Sequence, residues 1–291
     1  MKPQFFKRTN FSDRTPETTS LSDIFLEYGG DKADVEDHHP QMLKWHMKLP
    51  YCHTVGYATL YATLFDEFKH DAFKMLEIGI CDNRHPFASP RTYLRYFPRV
   101  DYWGYDLFTQ GPKDSEGNIQ LRMPDILDLV SRGANIIYGN QYDKDCLTET
   151  MQEITKDGNL LRLVIDDGSH ISKHIWTSLE IIWPYLESGG LYVIEDLTSG
   201  HPWPLKDLLY GDYSQDVWRA FYMAAKAIDP MYVNFDAKKE NGETIEIPYT
   251  DSTEISTYGS TIMNKVLDES NGLFFRPGRD YTNFVGVLRK K

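Results

Sequence analysis

Two apolar segments that each run directly into carboxylates constrain the fold of this chain more than any other feature. Residues 163–170 read Leu-Val-Ile-Asp-Asp-Gly-Ser-His, and residues 191–196 read Leu-Tyr-Val-Ile-Glu-Asp. A helical stretch over residues 171–186 separates them, and Ser-Gly-Gly at 188–190 closes it. Because parallel strands need a long crossover, usually a helix, this part of the chain predicts a βαβ unit with two buried, neighbouring strands.

The acidic ends of these two strands predict a cation site. Neighbouring parallel strands leave the sheet at one edge, which is also where open α/β sheets bind ligands. Four carboxylates would meet there: Asp166, Asp167, Glu195 and Asp196. Like charges at this range raise each other's pKa or recruit a cation, and hard oxygen ligands suit Mg²⁺, Ca²⁺ or Mn²⁺. The alternative for Asp-Asp-Gly-Ser is an ordinary turn and N-cap, but its use on two strands favours the metal.

Charge and composition disfavour a nucleic-acid partner. The 291 residues include 41% hydrophobic and 14% aromatic residues, enough for a folded core. Lys and Arg number 31 against 43 Asp and Glu, giving a formal net charge of −12 and no basic run. A polyanionic partner usually requires a basic face, so no nucleic-acid partner is expected.

The cysteines and the hydropathy pattern point to a cytoplasmic protein. The three cysteines, Cys52, Cys81 and Cys146, are scattered and lack metal-ligand spacing, so neither disulfides nor a zinc site is predicted. No segment approaches the roughly 18 apolar residues of a membrane span, and no signal peptide is expected. We therefore expect no membrane partner, and a homo-oligomer is compatible with the sequence.

The rest of the chain repeats the strand–helix pattern. Residues 1–20 are polar and are expected to form a loose arm, and residues 55–68 have the apolar spacing of an amphipathic helix. Further strands are predicted at residues 73–80, 100–106 and 134–140, and a late antiparallel pair at 273–275 and 283–288. The pattern predicts an α/β fold with a seven-stranded, mostly parallel sheet. Residues 1–70 would form an N-terminal arm and helical extension, and residues 71–291 the sheet domain.

The glycine and acid at the first two strand ends favour a cofactor without phosphate. Gly79 lets a ligand approach the backbone closely, and Asp106 can bind two ribose hydroxyls. A dinucleotide fold would show G-x-G-x-x-G for its pyrophosphate. Here Asp82 lies three residues after Gly79, and its negative charge would repel phosphate. S-adenosylmethionine, which carries a ribose and a sulfonium but no phosphate, fits this turn.

These motifs together resemble a known family, the class I S-adenosylmethionine-dependent, metal-dependent sugar O-methyltransferases of the mycinamicin and macrocin type. The resemblance covers residues 28–32, His53 with Tyr57 and Tyr61, 76–80, 164–170 and 190–197. It implies a Rossmann-like class I methyltransferase fold. It also implies S-adenosyl-L-methionine with Mg²⁺ or another divalent cation, and a small-molecule or glycan sugar as acceptor.

The resemblance also implies roles for individual residues. Asp167, Glu195 and Asp196 would hold the metal, and His170 would be the general base, with Asp167 contributing to catalysis. By the resemblance, Glu77, Gly79, Asp106 and Asp166 would face the cofactor, and Gln141 is expected there from its place at the exit of the third predicted strand. The metal would chelate two neighbouring hydroxyls of a sugar and lower the pKa of the one to be methylated.

Several alternatives stay open at this point. His170 could instead cap the crossover helix, with His201 as a reserve base. Tyr57, Tyr61 and Trp203 could wall the sugar, although core packing is the simpler interpretation for the two tyrosines. The same acidic edge could hold Fe(II) in a hydroxylase, or the protein could be a non-catalytic cofactor-binding subunit.

Overall fold

A computed structural model describes residues 1–9, 13–15, 18–30, 32–34, 56–81, 87–109, 121–198, 215–228, 255–277 and 283–291. Predictions that concern His53, Asp82, His201 and Trp203 lie outside these residues, as does the polar stretch 230–253, for which the sequence predicts a hairpin or lid.

Eight strands of the described chain form one sheet. They are β1 (Gln4–Phe6), β2 (Phe73–Ile78), β3 (Val100–Asp106), β4 (Asn135–Tyr138), β5 (Leu161–Asp166), β6 (Leu186–Thr198), β7 (Ser270–Pro277) and β8 (Asn283–Lys290). Their order across the sheet is β1-β4-β3-β2-β5-β6-β8-β7. Strands β4, β3, β2, β5 and β6 are mutually parallel, whereas β8 is antiparallel to both β6 and β7. The seven predicted strands are therefore present, with the late antiparallel pair in place.

Strand β1 is an addition that the sequence-based prediction missed. It pairs antiparallel with β4, so the expectation of a loose arm is wrong for these three residues. Phe5 and Phe6 are half-buried and pack against opposite faces of the sheet, following the two-residue period of a strand. Pairing also covers the edge of β4, which would otherwise expose unpaired backbone groups.

The helices lie between and beside these strands. They are α1 (Leu21–Tyr28), α2 (Ala58–Phe65), α3 (Ala88–Tyr96), α4 (Met123–Ser131), α5 (Lys144–Ile154), α6 (Ser172–Ile182), α7 (Gln215–Ile228) and α8 (Thr257–Asp268). Helix α1 begins where the Ser20 hydroxyl accepts a hydrogen bond from the Asp23 amide and ends at Gly29 in the left-handed region. Among the described helices, no segment is long and apolar enough to cross a membrane.

The sheet is buried on both faces, in three layers. Met75, Tyr102 and Leu163 point into one hydrophobic cluster with α1–α4, whereas their chain neighbours Leu76 and Trp103 point into a second cluster with α5–α8. Helices α1 and α2 of the predicted extension therefore pack in the same core as the sheet. The boundary at residue 70 stays a prediction.

The strand register places the functional ends side by side. Ile78 at the end of β2 is level with Asp166 at the end of β5, and Asp166 is level with Ile194 of β6. The residues that follow each strand therefore emerge at one edge of the sheet.

Candidate functional site

A β-bulge lies at the acidic pair of β6. Ile194 is opposite Gly286 and Leu197 is opposite Phe284, so Glu195 and Asp196 together face one residue of β8. Successive residues of a regular strand point to opposite faces, whereas a bulge changes the direction of a side chain. Asp196 also has a φ of 53°, in the left-handed region. The bulge therefore places two adjacent carboxylates of one strand near Asp167.

Asp167, His170 and Asp196 come together at the carboxyl edge. One ligand atom from each of the three lies within 4.8 Å of the others. His170 Nε2 is 3.8 Å from Asp167 Oδ1. The His170 side chain is 17% exposed, so a ligand can reach the imidazole from solvent. We call Asp167, His170, Glu195 and Asp196 the acidic edge.

His170 does not cap the crossover helix. The N-cap of α6 is Ile171, with no side-chain hydrogen bond at the cap. His170 itself has a φ of 56°, which is uncommon for a residue other than glycine and is concentrated at functional sites. The capping alternative is therefore wrong, and the imidazole lies beside the carboxylates.

Glu195 is buried and already engaged by two residues from the N-terminal part of the chain. Its side chain is 1% exposed. The Tyr61 hydroxyl donates to Oε1 at 2.7 Å, and Lys32 Nζ lies 3.0 Å from Oε2. Burial and the nearby carboxylate of Asp167 raise the pKa of Glu195 well above its ordinary value, and Lys32 and Tyr61 act in the opposite direction.

The other two carboxylates of the acidic edge have partners from the same N-terminal region. Lys32 Nζ also lies 2.7 Å from Asp167 Oδ2, and the Tyr57 hydroxyl donates to Asp196 Oδ1 at 3.2 Å. The two tyrosines are buried and directed at carboxylates, and the role of Lys32 was missed by sequence reasoning. Its one sequence signal was its place in the block at residues 28–32.

The donor set of the acidic edge fits a divalent cation. The carboxylate oxygens of Asp167 and Asp196 are the hard ligands that Mg²⁺ and Mn²⁺ prefer, whereas the imidazole beside them is a ligand type more common for zinc and iron. Asp167 and Asp196 are only partly buried, so an ion can enter from solvent. Glu195 adjoins them but is bonded to Tyr61 and Lys32, and its predicted role as a third ligand stays a prediction.

Glu77, Gly79 and Asp106, which we call the cofactor edge, lie at the ends of β2 and β3. Gly79 has a φ of 82°, and a Cβ at this position would collide with the backbone of Asp167. Glycine is therefore required for the two strand ends to pack this closely. Asp106 Oδ2 accepts from the amides of Ile80 at 2.8 Å and Cys81 at 3.0 Å. Burial raises the pKa of Asp106 to about 6.

Glu77 has the feature that best fits a cofactor. It is fully buried, the Tyr102 hydroxyl donates to Oε2 and the Ser89 hydroxyl also interacts with the carboxylate, whereas Oε1 makes no hydrogen bond of normal geometry to the described residues. Burial raises the pKa of Glu77 to about 7. Because buried acceptors are nearly always paired, this oxygen fits a donor group such as the amino group or hydroxyl of a bound cofactor.

Asp166 and Gln141 bond to each other. Gln141 Nε2 donates to Asp166 Oδ1 at 2.7 Å, and Ser178 Oγ donates to Oδ2 at 2.6 Å. Gln141 Oε1 accepts from the Ser169 amide at 3.0 Å, and this bond holds in place the turn that carries Asp167 and His170. Burial raises the pKa of Asp166 to about 6. The contact of these two residues with a cofactor stays a prediction.

The sheet order and the structural neighbours define the fold class, which is that of the class I Rossmann-like methyltransferases. The solved structure of MycE methyltransferase from the mycinamycin pathway, in complex with Mg and SAH, aligns with a TM-score of 0.51 and 21% identity. The alignment covers 94% of this chain and 55% of that chain. A likeness at this identity establishes the fold alone, and it confirms the predicted fold class.

Sequence comparison identifies relatives with a specific activity. Demethylmacrocin O-methyltransferase from Streptomyces fradiae is 33% identical over 143 residues, which are 48% of this chain and 31% of that relative. Mycinamicin VI 2''-O-methyltransferase from Micromonospora griseorubida is 32% identical over 143 residues, with the same coverage. A tetracenomycin-C rhamnosyl 2'-O-methyltransferase from Streptomyces olivaceus is 29% identical over 219 residues, 74% of this chain and 47% of that relative.

These comparisons confirm the resemblance that the motifs indicated, because the homologues are sugar O-methyltransferases of natural product pathways. No protein-family model matches the chain. The alignments span about a third to a half of the length of these curated relatives.

Proposed function

We propose that this protein is an S-adenosylmethionine-dependent O-methyltransferase that methylates a sugar hydroxyl of a glycoside, glycan or natural product. The observation that carries the proposal is the meeting of Asp167, His170 and Asp196 within 4.8 Å, one strand away from the cofactor edge. The names of the relatives support methyl transfer over hydroxylation on the same fold.

The cofactor edge would bind the methyl donor. When bound, S-adenosylmethionine supplies a methyl group on a sulfonium. The unpaired Oε1 of Glu77 would accept from a donor group of this cofactor, and Gly79 would leave room beside it. Asp106 would bind the ribose hydroxyls.

The acidic edge would bind and activate the acceptor. When bound by Asp167, Glu195 and Asp196, Mg²⁺ supplies Lewis acidity to two neighbouring hydroxyls of the sugar. His170 Nε2 would accept the proton of the hydroxyl that is methylated, since imidazole suits proton exchange near neutral pH. Asp167 Oδ1, 3.8 Å from that nitrogen, would favour the protonated imidazole once it forms. Positioning of acceptor and donor would supply much of the rate.

The test is methyl transfer to a panel of diol sugars, offered free, nucleotide-linked and as glycosides. We expect His170→Ala to lower kcat by about 10²–10⁴-fold, the usual contribution of a general base, with the affinity for S-adenosylhomocysteine unchanged. Asp167→Asn should lower both metal affinity and kcat.

Matched controls distinguish a local effect from a general one. His70→Ala changes an exposed histidine, and Asp157→Asn changes a carboxylate whose partner is Lys74, outside both edges. Both controls should retain wild-type rates. If His170→Ala and Asp167→Asn also keep near-wild-type rates, the assignment of the site is wrong. The cytoplasmic location, the lack of nucleic-acid and membrane partners, and the oligomeric state stay predictions.

A further inference from the structure

Lys32 places a buried positive charge between two carboxylates of the acidic edge. The residue is 5% exposed, and its Nζ lies 2.7 Å from Asp167 Oδ2 and 3.0 Å from Glu195 Oε2. Asp167 follows β5 and Glu195 lies at the bulge of β6, whereas Lys32 belongs to the described residues 32–34, a few residues after α1. One ammonium therefore bridges two neighbouring strand ends.

The segment that carries Lys32 is fastened on both sides. The Lys32 carbonyl accepts from the Ala58 amide at 2.9 Å. The neighbouring Asp34 amide donates to Ser22 Oγ of α1 at 2.8 Å, and the Asp34 carboxylate accepts from Thr59 Oγ1 of α2 at 2.6 Å. These contacts position the Lys32 side chain, so its place between the carboxylates is built into the fold.

The charge balance explains why a lysine is tolerated in this buried position. Burying an ammonium is costly unless it is paired and hydrogen-bonded, and the same holds for each carboxylate. Lys32 supplies one positive charge to two acids. A divalent ion at the acidic edge would supply two positive charges to the same acids, and both oxygens that face Lys32 belong to predicted metal ligands.

We infer that Lys32 is a built-in counter-ion that competes with the divalent cation for Asp167 and Glu195. This inference rests on the proposed function, because it takes these two residues as metal ligands. In the metal-free protein the ammonium keeps the acidic edge assembled. When an ion binds, the carboxylates change partner and the positive charge of Lys32 opposes the ion, so Lys32 lowers the affinity and couples metal binding to residues 32–34.

The experiment measures Mn²⁺ binding by titration calorimetry, together with the thermal midpoint with and without Mn²⁺. Lys32→Met and Lys32→Gln should bind Mn²⁺ at least about tenfold more tightly than wild type, because a like charge a few ångströms from the ion has been removed. Their metal-free midpoints should fall, and Mn²⁺ should raise those midpoints more than it raises the wild-type midpoint. Lys32→Arg keeps the charge and should bind Mn²⁺ as wild type does.

Lys74→Met is the matched control. Lys74 is also buried, but it donates to the Ile154 carbonyl at 2.6 Å and pairs with the half-exposed Asp157, away from the acidic edge. Its loss should lower the midpoint without changing the affinity for Mn²⁺. This control separates the loss of a buried ammonium from the loss of this particular charge.

The outcomes distinguish this inference from the proposed function. Wild-type binding with equal or weaker affinity in Lys32→Gln overturns the role of Lys32 and leaves the proposed function standing. Absence of Mn²⁺ binding in the wild type, in the presence of S-adenosylhomocysteine as well as alone, overturns both. If Lys32→Met does not fold without metal, the comparison of Lys32→Gln with Lys32→Arg decides the question.

Discussion

The cofactor edge and the acidic edge belong to the same side of one sheet, but different parts of the chain complete them. At the cofactor edge, Asp106 is bonded by the amides of Ile80 and Cys81, and Glu77 by the hydroxyl of Tyr102. All these donors lie on β2, β3 or the turn that follows β2. Most of the support of the cofactor edge therefore comes from the pairing of these two strands, to which the Ser89 hydroxyl of α3 and the charge of Lys32 add their effect on Glu77.

The acidic edge depends on residues that precede β2 in the chain. Lys32 reaches Asp167 and Glu195, which lies 163 residues further along the chain, and Tyr61 reaches Glu195 across 134 residues. The two edges therefore have largely different structural supports, joined by the charge of Lys32, which acts on Glu77 as well. Changes in α2 should affect the acidic edge more than the cofactor edge.

Gly79→Ala should have the largest effect and should disturb both edges, because Gly79 belongs to the cofactor edge and packs against Asp167 of the acidic edge. The new Cβ would collide with the Asp167 backbone in a left-handed conformation, and we expect a loss of about 4 kcal/mol in the free energy of unfolding from strain and overpacking. Gly158→Ala is the control. Gly158 has the same φ of 82° with nothing within 4 Å, so its loss should be only about 1 kcal/mol, the cost of the backbone conformation alone. Equal losses in denaturant unfolding would contradict the close packing of the two strand ends.

The cofactor edge should make the ligand-free protein less stable as pH rises. Burial raises the pKa of Glu77 from 4.5 to about 7. The folded state therefore holds this proton more tightly than the unfolded state. Its contribution is fully present below pH 4.5 and is lost as pH rises through 7, on the order of 3 kcal/mol.

Comparison with Glu77→Gln measures this contribution. The free energy of unfolding of the wild type, minus that of the variant, should fall by that amount between pH 4.5 and 8. The control Glu149→Gln changes an exposed residue, and its difference from wild type should stay flat. A flat difference for Glu77→Gln would show that burial does not hold the proton on Glu77.

Tyr61→Phe tests whether the acidic edge can be weakened without affecting the cofactor edge. It is the smallest change of the three, since it removes a single hydroxyl. It removes the donor to Glu195 Oε1 in a fully buried position. Partners that orient metal ligands typically contribute 10–100-fold in metal affinity, so we expect Mn²⁺ binding to weaken by about that factor. The affinity for S-adenosylhomocysteine should not change, because Tyr61 does not reach the cofactor edge.

Tyr105→Phe is the control for this prediction. Tyr105 is equally buried, and its hydroxyl contacts Cys146 Sγ at 3.3 Å, in the cluster on the other face of the sheet. It should leave Mn²⁺ affinity unchanged. Equal effects of the two substitutions, or a loss of S-adenosylhomocysteine binding in Tyr61→Phe, would show that the edges are not separately supported.

Residue patterns were sufficient for much of the fold. The strand at Val100–Asp106 has the bounds that periodicity predicted. So does the helix at Gln215–Ile228, which the three- to four-residue spacing of Val217, Phe221, Ala224 and Ile228 predicts. The βαβ unit around Asp167 was also correct, since it depends on signals within a few residues of chain. Gly79 was singled out for the approach of a ligand, whereas the structure shows that it packs against the backbone of Asp167. The strand Gln4–Phe6 was not predicted, because three residues are too few to show the two-residue hydrophobic period of a strand.

The sequence was sufficient to predict which strands are buried and which residues lie at their carboxyl ends. A buried strand is a run of apolar residues, and its end is the point where polar residues begin. The contacts of those ends could be seen only in the folded chain. They are the bulge that places Glu195 and Asp196 near Asp167, the hydrogen bond from Gln141 to Asp166, and the ion pairs of Lys32 with Asp167 and Glu195. Such contacts join residues up to 163 positions apart. They depend on the packing of elements against one another, which no local pattern records.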